Sequence, residues 1–189
     1  MNDLLGSRIA GGNTAYLRST SDFYPTPPEV TEALMNFLLL PCNQKIWEPA
    51  CGEGHMVDAI RNRGYDVIGT DINMGVDFLT AELPDGVDWI ITNPPFSHAE
   101  HFIRRCVEHK KPFALLLKSQ YWHAKKRFKL FWEYPPAYVL PLTWRPDFLF
   151  KHRGGSPLMD VMWCVWTVRD LGQTVYVPLS RPERGVKSE

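Results

Sequence analysis

Asn93-Pro94-Pro95-Phe96 follows the apolar tetrad Trp89-Ile90-Ile91-Thr92, and its residue types could organise an amino group. An asparagine side-chain oxygen and a proline backbone carbonyl are both acceptors. Asn93 and Pro94 could therefore take both hydrogens of one amine and aim its lone pair at an electrophile. Proline fixes its own φ and donates no hydrogen bond, so the Pro94-Pro95 pair would hold that carbonyl rigidly inward. Phe96 would stack on the ring that carries the amine. A string of this kind arises by chance in roughly a few chains in a hundred, given a proline usage of about 5%. Its setting in the chain therefore decides its weight.

A second group stands upstream, in Trp47-Glu48-Pro49-Ala50-Cys51-Gly52-Glu53-Gly54-His55. Two glycines at a junction between strand and helix let the backbone approach a ligand closely. The run lacks the third glycine of the phosphate-binding G-x-G-x-x-G, and an acid, Glu48, precedes the turn, so a cationic ligand suits it better than a pyrophosphate. The next strand, Tyr65 to Asp71, ends on a carboxylate 17 residues after Gly54, about where dinucleotide folds place the acid that binds a ribose diol. Asp71 is either that ribose acid or a helix cap.

The elements that must position these groups follow from apolar periodicity. Val30, Leu34, Phe37 and Leu38 recur at helical spacing between Pro28 and Leu40, with a proline in the first turn. Helices are also expected at His55 to Arg63, Ala99 to His109 and Tyr121 to Trp132. Strands are expected at Lys45 to Glu48, Asp66 to Asp71, Asp88 to Thr92, Pro112 to Lys118, Ala137 to Leu142, Leu158 to Val168 and Thr174 to Pro178. The alternation argues for an α/β fold with a parallel sheet and right-handed crossovers. Two consecutive strands without an intervening helix suggest an antiparallel hairpin at its edge. One domain over residues 22–180 is expected, with a flexible arm at 1–21 and a flexible tail at 181–189.

Composition narrows the class. Lysine plus arginine equals aspartate plus glutamate at 21 each, so no global basic field advertises a polyanion and any positive patch is local. Cys42, Cys51, Cys106 and Cys164 are scattered with no zinc-ligand spacing, which reads as free thiols in a reducing cytoplasm, with no metal. No apolar run approaches the roughly 18 residues of a membrane span.

In chain order, Glu48-Pro49-Ala50-Cys51-Gly52-Glu53-Gly54, Gly69-Thr70-Asp71-Ile72, Val76-Asp77-Phe78-Leu79 and Thr92-Asn93-Pro94-Pro95-Phe96 resemble successive motifs of adenine-N6 DNA methyltransferases, particularly the short bacteriophage-type enzymes. The resemblance spans roughly Asp22 to Val168. It implies a class I Rossmann-like methyltransferase fold: a mostly parallel seven-stranded sheet with an antiparallel edge hairpin and helices on both faces. It implies S-adenosylmethionine as cofactor, its methionine part wrapped by Glu48 to Gly54, with Asp71 on the ribose hydroxyls and Ile72 beside them. It also implies that Asp77 accepts from the cofactor adenine amino group while Phe78 packs on that ring. Tyr24, Thr26 and Pro27, in Asp22-Phe23-Tyr24-Pro25-Thr26-Pro27-Pro28, correspond to the family's N-terminal cofactor motif; the alternative is a proline-rich turn capping the first helix.

The implied reaction is direct methyl transfer to adenine N6 in DNA, after the base leaves the duplex and stacks on Phe96. Asn93, Pro94, Pro95 and Phe96 are the catalytic candidates, Asn93 also touching the cofactor. Lys118, Trp122, Arg145 and Phe148 are the further substrate-side candidates. Lys125, Lys126, Arg127 and Lys129, and again Lys151, His152 and Arg153, either track phosphates or form a solvated face. The loop Thr143 to Phe148 either contacts substrate or packs. The family places a target-recognition domain after the core, whereas only roughly twenty residues follow Val168, so little or short sequence specificity is expected. Methylation of adenine N6 or guanine N2 in RNA is the alternative activity, and an inactive cofactor-binding scaffold the alternative without one.

Overall fold

The computed structural model describes residues 24–148, 159–168 and 172–183. The expected arm at 1–21, together with Asp22, Phe23, Lys151, His152 and Arg153, lies outside them. Arg181, in the expected tail, pairs with Glu29 at 2.8 Å.

Strands β1 (Lys45–Glu48), β2 (Asp66–Gly69), β3 (Trp89–Thr92), β4 (Phe113–Lys118), β5 (Tyr138–Pro141), β6 (Val161–Trp166) and β7 (Val175–Tyr176) form one sheet in the order β2-β1-β3-β4-β6-β5-β7. β6 alone runs against its neighbours, pairing antiparallel with β4 and β5. The expected hairpin is β5–β6, and the two-residue β7 is added outside it, parallel to β5.

Because side chains alternate across a strand, an apolar run supplies two layers at once. Ile46, Ile91, Ala114, Leu116, Trp163 and Val165 point to one face. Their neighbours Trp47, Ile90, Leu115, Leu117, Met162, Cys164 and Trp166 point to the other. Helices α1 (Pro28–Leu38) and α2 (His55–Arg61) cover the first layer with Val30, Leu34, Met35, Met56, Val57 and Ile60. The Trp163 indole N–H donates to the Val30 carbonyl at 3.0 Å, tying α1 to the middle of β6. Helix α3 (Ala99–His109) covers the second layer with Phe102, Ile103 and Cys106.

The helix expected from Tyr121 to Trp132 is broken. Ser119–Trp122 and Lys125–Arg127 are single 3-10 turns, and only α4 (Phe128–Glu133) is α-helical. Arg127 lies over the Tyr121 ring, 3.7 Å from its centroid, and donates to the Tyr121 carbonyl at 2.8 Å. That carbonyl is the acceptor a continuous helix would have offered to residue 125. Ala124 between the turns is extended. As a result Leu130 becomes the buried residue of α4, and Phe128 is 70% exposed.

Candidate active site

From β1 the chain moves out to β2 on one side and then crosses to β3 on the other, so strand order reverses between β1 and β3. Open α/β sheets bind ligands outside the carboxyl ends of the strands at such a point. A pocket of about 460 Å³ lies there, walled by the ends of β1 and β3, the turn after β1, the turn after β2 and the segment 24–26.

Glu48 closes β1 and is 2% exposed. Its Oε2 has no hydrogen-bond partner. Burial, and then the charge of Asp71, hold its carboxyl well above the usual range, against a smaller opposing effect of the Val57 amide. A buried carboxylate is costly without a counter-charge, so the pocket is prepared for a ligand that brings positive charge.

The following turn is lashed to the end of β2. Thr70 N–H donates to the Glu48 carbonyl and Cys51 N–H to the Thr70 carbonyl, each at 2.9 Å, and Gly54 N–H donates to the Cys51 carbonyl at 2.8 Å. Gly52 and Gly54 adopt φ of 50° and 86°, the left-handed region that glycine enters without strain. Gly69 is needed for a different reason. A Cβ there would stand 2.8 Å from Val57 Cγ2 and 3.3 Å from Cys51, so α2 and the turn press directly on the strand. The Cys51 thiol is pushed up to about 11, by burial first and then by Glu48 and Asp71. It stays protonated and is no nucleophile at neutral pH.

Asp71 is a cap, and it also braces the turn after β1. Its Oδ1 accepts from Asn73 N–H at 2.9 Å and caps the Ile72–Met74 turn, while its Oδ2 accepts from Gly52 N–H at 3.0 Å. Each oxygen keeps a further lone pair for a ligand hydroxyl, and the residue lines the pocket. Beside it Ile72 is 68% exposed, an apolar shelf at the pocket wall.

Asn93 stands opposite, one residue beyond β3. Its Nδ2 donates to the Tyr24 carbonyl at 3.1 Å and to Thr26 Oγ1 at 3.0 Å. A backbone carbonyl can only accept, so the amide orientation is fixed by chemistry. Both N–H donors are directed at the 24–26 segment, and Oδ1 is left buried without a partner. The Pro94 carbonyl likewise accepts no hydrogen bond among the described residues, while the Pro95 carbonyl takes the His98 N–H at 2.8 Å. Two acceptors on consecutive residues thus remain without a partner among the described residues.

Of the sequence-predicted residues, Tyr24, Thr26, Glu48, Ala50, Cys51, Gly52, Asp71, Ile72, Asn93, Pro94 and Pro95 share this one pocket. Pro27, Pro49 and Gly54 do not line it. Phe96 is next door, its ring 5.6 Å from that of Tyr24, with Lys118 Nζ 4.3 Å from the Phe96 centroid and 5.8 Å from that of Tyr24. Phe148 packs edge-on to Tyr24 and is 1% exposed, which makes it a wall of this aromatic group.

Other predicted residues lie elsewhere. Phe78 is buried between Trp47, Phe102 and His109, with ring centroids at 5.2, 4.7 and 5.7 Å, and does not face the pocket. Asp77 turns its Oδ1 to the Leu79 N–H. Arg145 is exposed and pairs with Asp160 at 2.7 Å. Trp122 donates its indole N–H to Met162 Sδ and packs on Phe131. Glu53, within the expected Glu48 to Gly54 wrap, lines the pocket too, and Pro25, His55, Met56 and Asn73 line it unforeseen. Pro25, His55 and Asn73 adjoin predicted residues, which was the only signal the sequence carried for them, and Met56 lies two residues beyond Gly54 in the first turn of α2.

No family model matches the chain, and no curated protein matches it in sequence. Solved structures do match. A candidate class I S-adenosylmethionine-dependent methyltransferase of Listeria monocytogenes aligns with a TM-score of 0.59 and 16% identity, covering 93% of this chain and 71% of its own. A modification subunit of a candidate type I restriction enzyme from Vibrio vulnificus aligns at 0.58 with 15% identity over 97% of this chain. This chain spans about half of that subunit, 52% of its length. A candidate RNA methyltransferase of Pyrococcus horikoshii aligns at 0.51 with 17% identity, covering 78% and 88%. These likenesses establish the fold, the Rossmann-like fold of class I methyltransferases.

Proposed function

We propose that the chain is an S-adenosylmethionine-dependent methyltransferase acting on the N6 amino group of adenine in DNA, with the target base flipped out of the helix. The observation that carries this reading is Asn93. Both of its donors are spent on Tyr24 and Thr26, and its buried Oδ1 is open beside an equally open Pro94 carbonyl.

The residues present fit the cofactor. The pocket's volume lies within the roughly 300–1,000 Å³ of small-molecule sites. Glu48 offers a buried carboxyl whose Oε2 has no partner to a cationic group, and Asp71 offers acceptor capacity to a ribose diol. When bound, S-adenosylmethionine supplies an electrophilic methyl group on a sulfonium. The chain's own residues supply position. An exocyclic adenine amine is a poor nucleophile because its lone pair is delocalised into the ring. Asn93 Oδ1 and the Pro94 carbonyl, accepting its two hydrogens, would draw the nitrogen toward tetrahedral geometry and fix the direction of its lone pair. Phe96 would take the base on its face, where stacking returns roughly 1–3 kcal/mol of the few kcal/mol that flipping costs. The surplus proton would leave to solvent.

The test is methyl transfer from labelled S-adenosylmethionine to DNA and RNA of matched sequence, followed by identification of the modified nucleoside. N6-methyladenine in DNA is the expected product. Label confined to RNA would move the reading to RNA, and cofactor binding with no transfer to either would reduce the chain to a scaffold.

A further inference from the structure

We infer that the groove formed by Trp122, Phe131, Phe128 and Trp132 is a binding surface for a single nucleic-acid strand, taking the nucleotides that flank the target base. The inference rests on the nucleic-acid reading of the pocket and adds the surface that engages the strand outside it.

The groove encloses about 500 Å³. Trp122 and Phe131 form its floor with ring centroids 4.1 Å apart. On its rim Phe128 and Trp132, four residues apart on α4, stack at 5.9 Å with 24° between their planes, 70% and 77% exposed. Two large aromatic rings held parallel in water gain nothing for the fold by their exposure. Rings so placed are the platform on which successive bases stack without regard to sequence.

Charge selects the occupant. The whole chain is neutral, yet residues 118–132 hold Lys118, Lys125, Lys126, Arg127 and Lys129 and no acidic residue. Lys125 and Lys126 form no ion pair with any described residue. Glu133, the nearest acid in sequence, is engaged by Lys129 at 3.6 Å and by Arg104 at 3.8 Å. Exposed rings beside Lys125 and Lys126 suit a polyanion with flat bases. Position agrees, because Lys118, over the Phe96 ring, is only four residues before Trp122, a separation of at most about 14 Å along the chain.

The test is fluorescence anisotropy with a fluorescein-labelled 20-nucleotide DNA strand and its RNA counterpart, with S-adenosylmethionine affinity measured alongside by calorimetry. Phe128→Ala with Trp132→Ala is expected to weaken strand binding at least tenfold and leave cofactor affinity unchanged. Phe128→Tyr with Trp132→Phe, which keeps both rings, is expected to retain binding. Lys125→Gln with Lys126→Gln should lower the salt-dependence slope by about 1.4, at about 0.7 per phosphate contact. Undiminished strand binding by the alanine pair, while the wild type binds and methylates, would overturn the groove assignment alone. Undiminished binding together with loss of self-association in sedimentation would assign the rings to a second copy and overturn it too. If the wild type binds the cofactor but neither strand, the nucleic-acid reading falls and the groove assignment with it.

Discussion

Along β6 every residue from Val161 to Trp166 is buried and apolar, and the strand is paired on both sides. At the carboxyl ends of β1 and β3, Glu48 and Thr92 are buried and Asn93 is half-buried, yet each keeps a buried oxygen without a partner. One half of the sheet is therefore saturated and the other half is held open. Buried acceptors left unpaired destabilise a fold by roughly 1–3 kcal/mol each. The strands around β6, with no such openings, supply the stability that tolerates them. Among the strands themselves, unpartnered side-chain oxygens are confined to the ends of β1 and β3 that border the pocket.

Substitutions in the two halves should therefore separate stability from binding. Trp163→Ala, in the saturated half, should cost about 3–5 kcal/mol, because it removes a fully buried ring and the bond to the Val30 carbonyl. Thermal or chemical unfolding would show this, and molecules that remain folded should keep their cofactor affinity. Loss of affinity in the folded fraction would mean that the halves are not separable.

Glu48→Gln should do the reverse. The folded carboxyl is raised above its ordinary value of 4.5, so the folded state holds its proton more tightly than the unfolded one. The stability this contributes is complete below pH 4.5 and is lost as pH rises through the raised value. Glutamine removes that slope, so the free variant should melt no lower than the wild type at neutral pH while binding S-adenosylmethionine on the order of tenfold more weakly. Wild-type binding of the cationic cofactor should release protons, visible as a buffer-dependent enthalpy. A buffer-independent enthalpy would place Glu48 outside the binding event.

At Gly69→Ala, about 1–3 kcal/mol of overpacking against Val57 and Cys51 is expected. Because Cys51 lines the pocket, a modest loss of cofactor affinity should accompany it. Denaturant titration with and without cofactor would measure both.

Much of the fold was legible because its cause is local. Four-to-six-residue apolar runs alternating with amphipathic stretches give strands and helices whatever their neighbours, and α3 runs from Ala99 to His109 as expected. The helix at 121–132 was not legible, because an arginine on a tyrosine ring interrupts it and no propensity encodes that contact. In the site, residue types and order pointed to Glu48, Asp71 and Asn93. What fixes Asn93 is contact with Tyr24 and Thr26, 69 and 67 residues away in sequence. Only the folded chain shows which atoms of the amide are spent and which are open. Phe78 marks the opposite case: an aromatic next to a motif acid looked like a ligand platform, and packing on Trp47 turned it into the core.

The most direct test of the account is single-turnover methyl transfer to DNA by Asn93→Ala, with S-adenosylmethionine affinity measured on the same preparation. If Asn93 Oδ1 holds the amine, transfer should fall about 10²- to 10³-fold, the scale of losing one positioned hydrogen-bonding group in an active site. Cofactor affinity should change by no more than a few-fold. Transfer at the wild-type rate, or a loss of transfer matched by an equal loss of cofactor binding, would contradict the role assigned to Asn93.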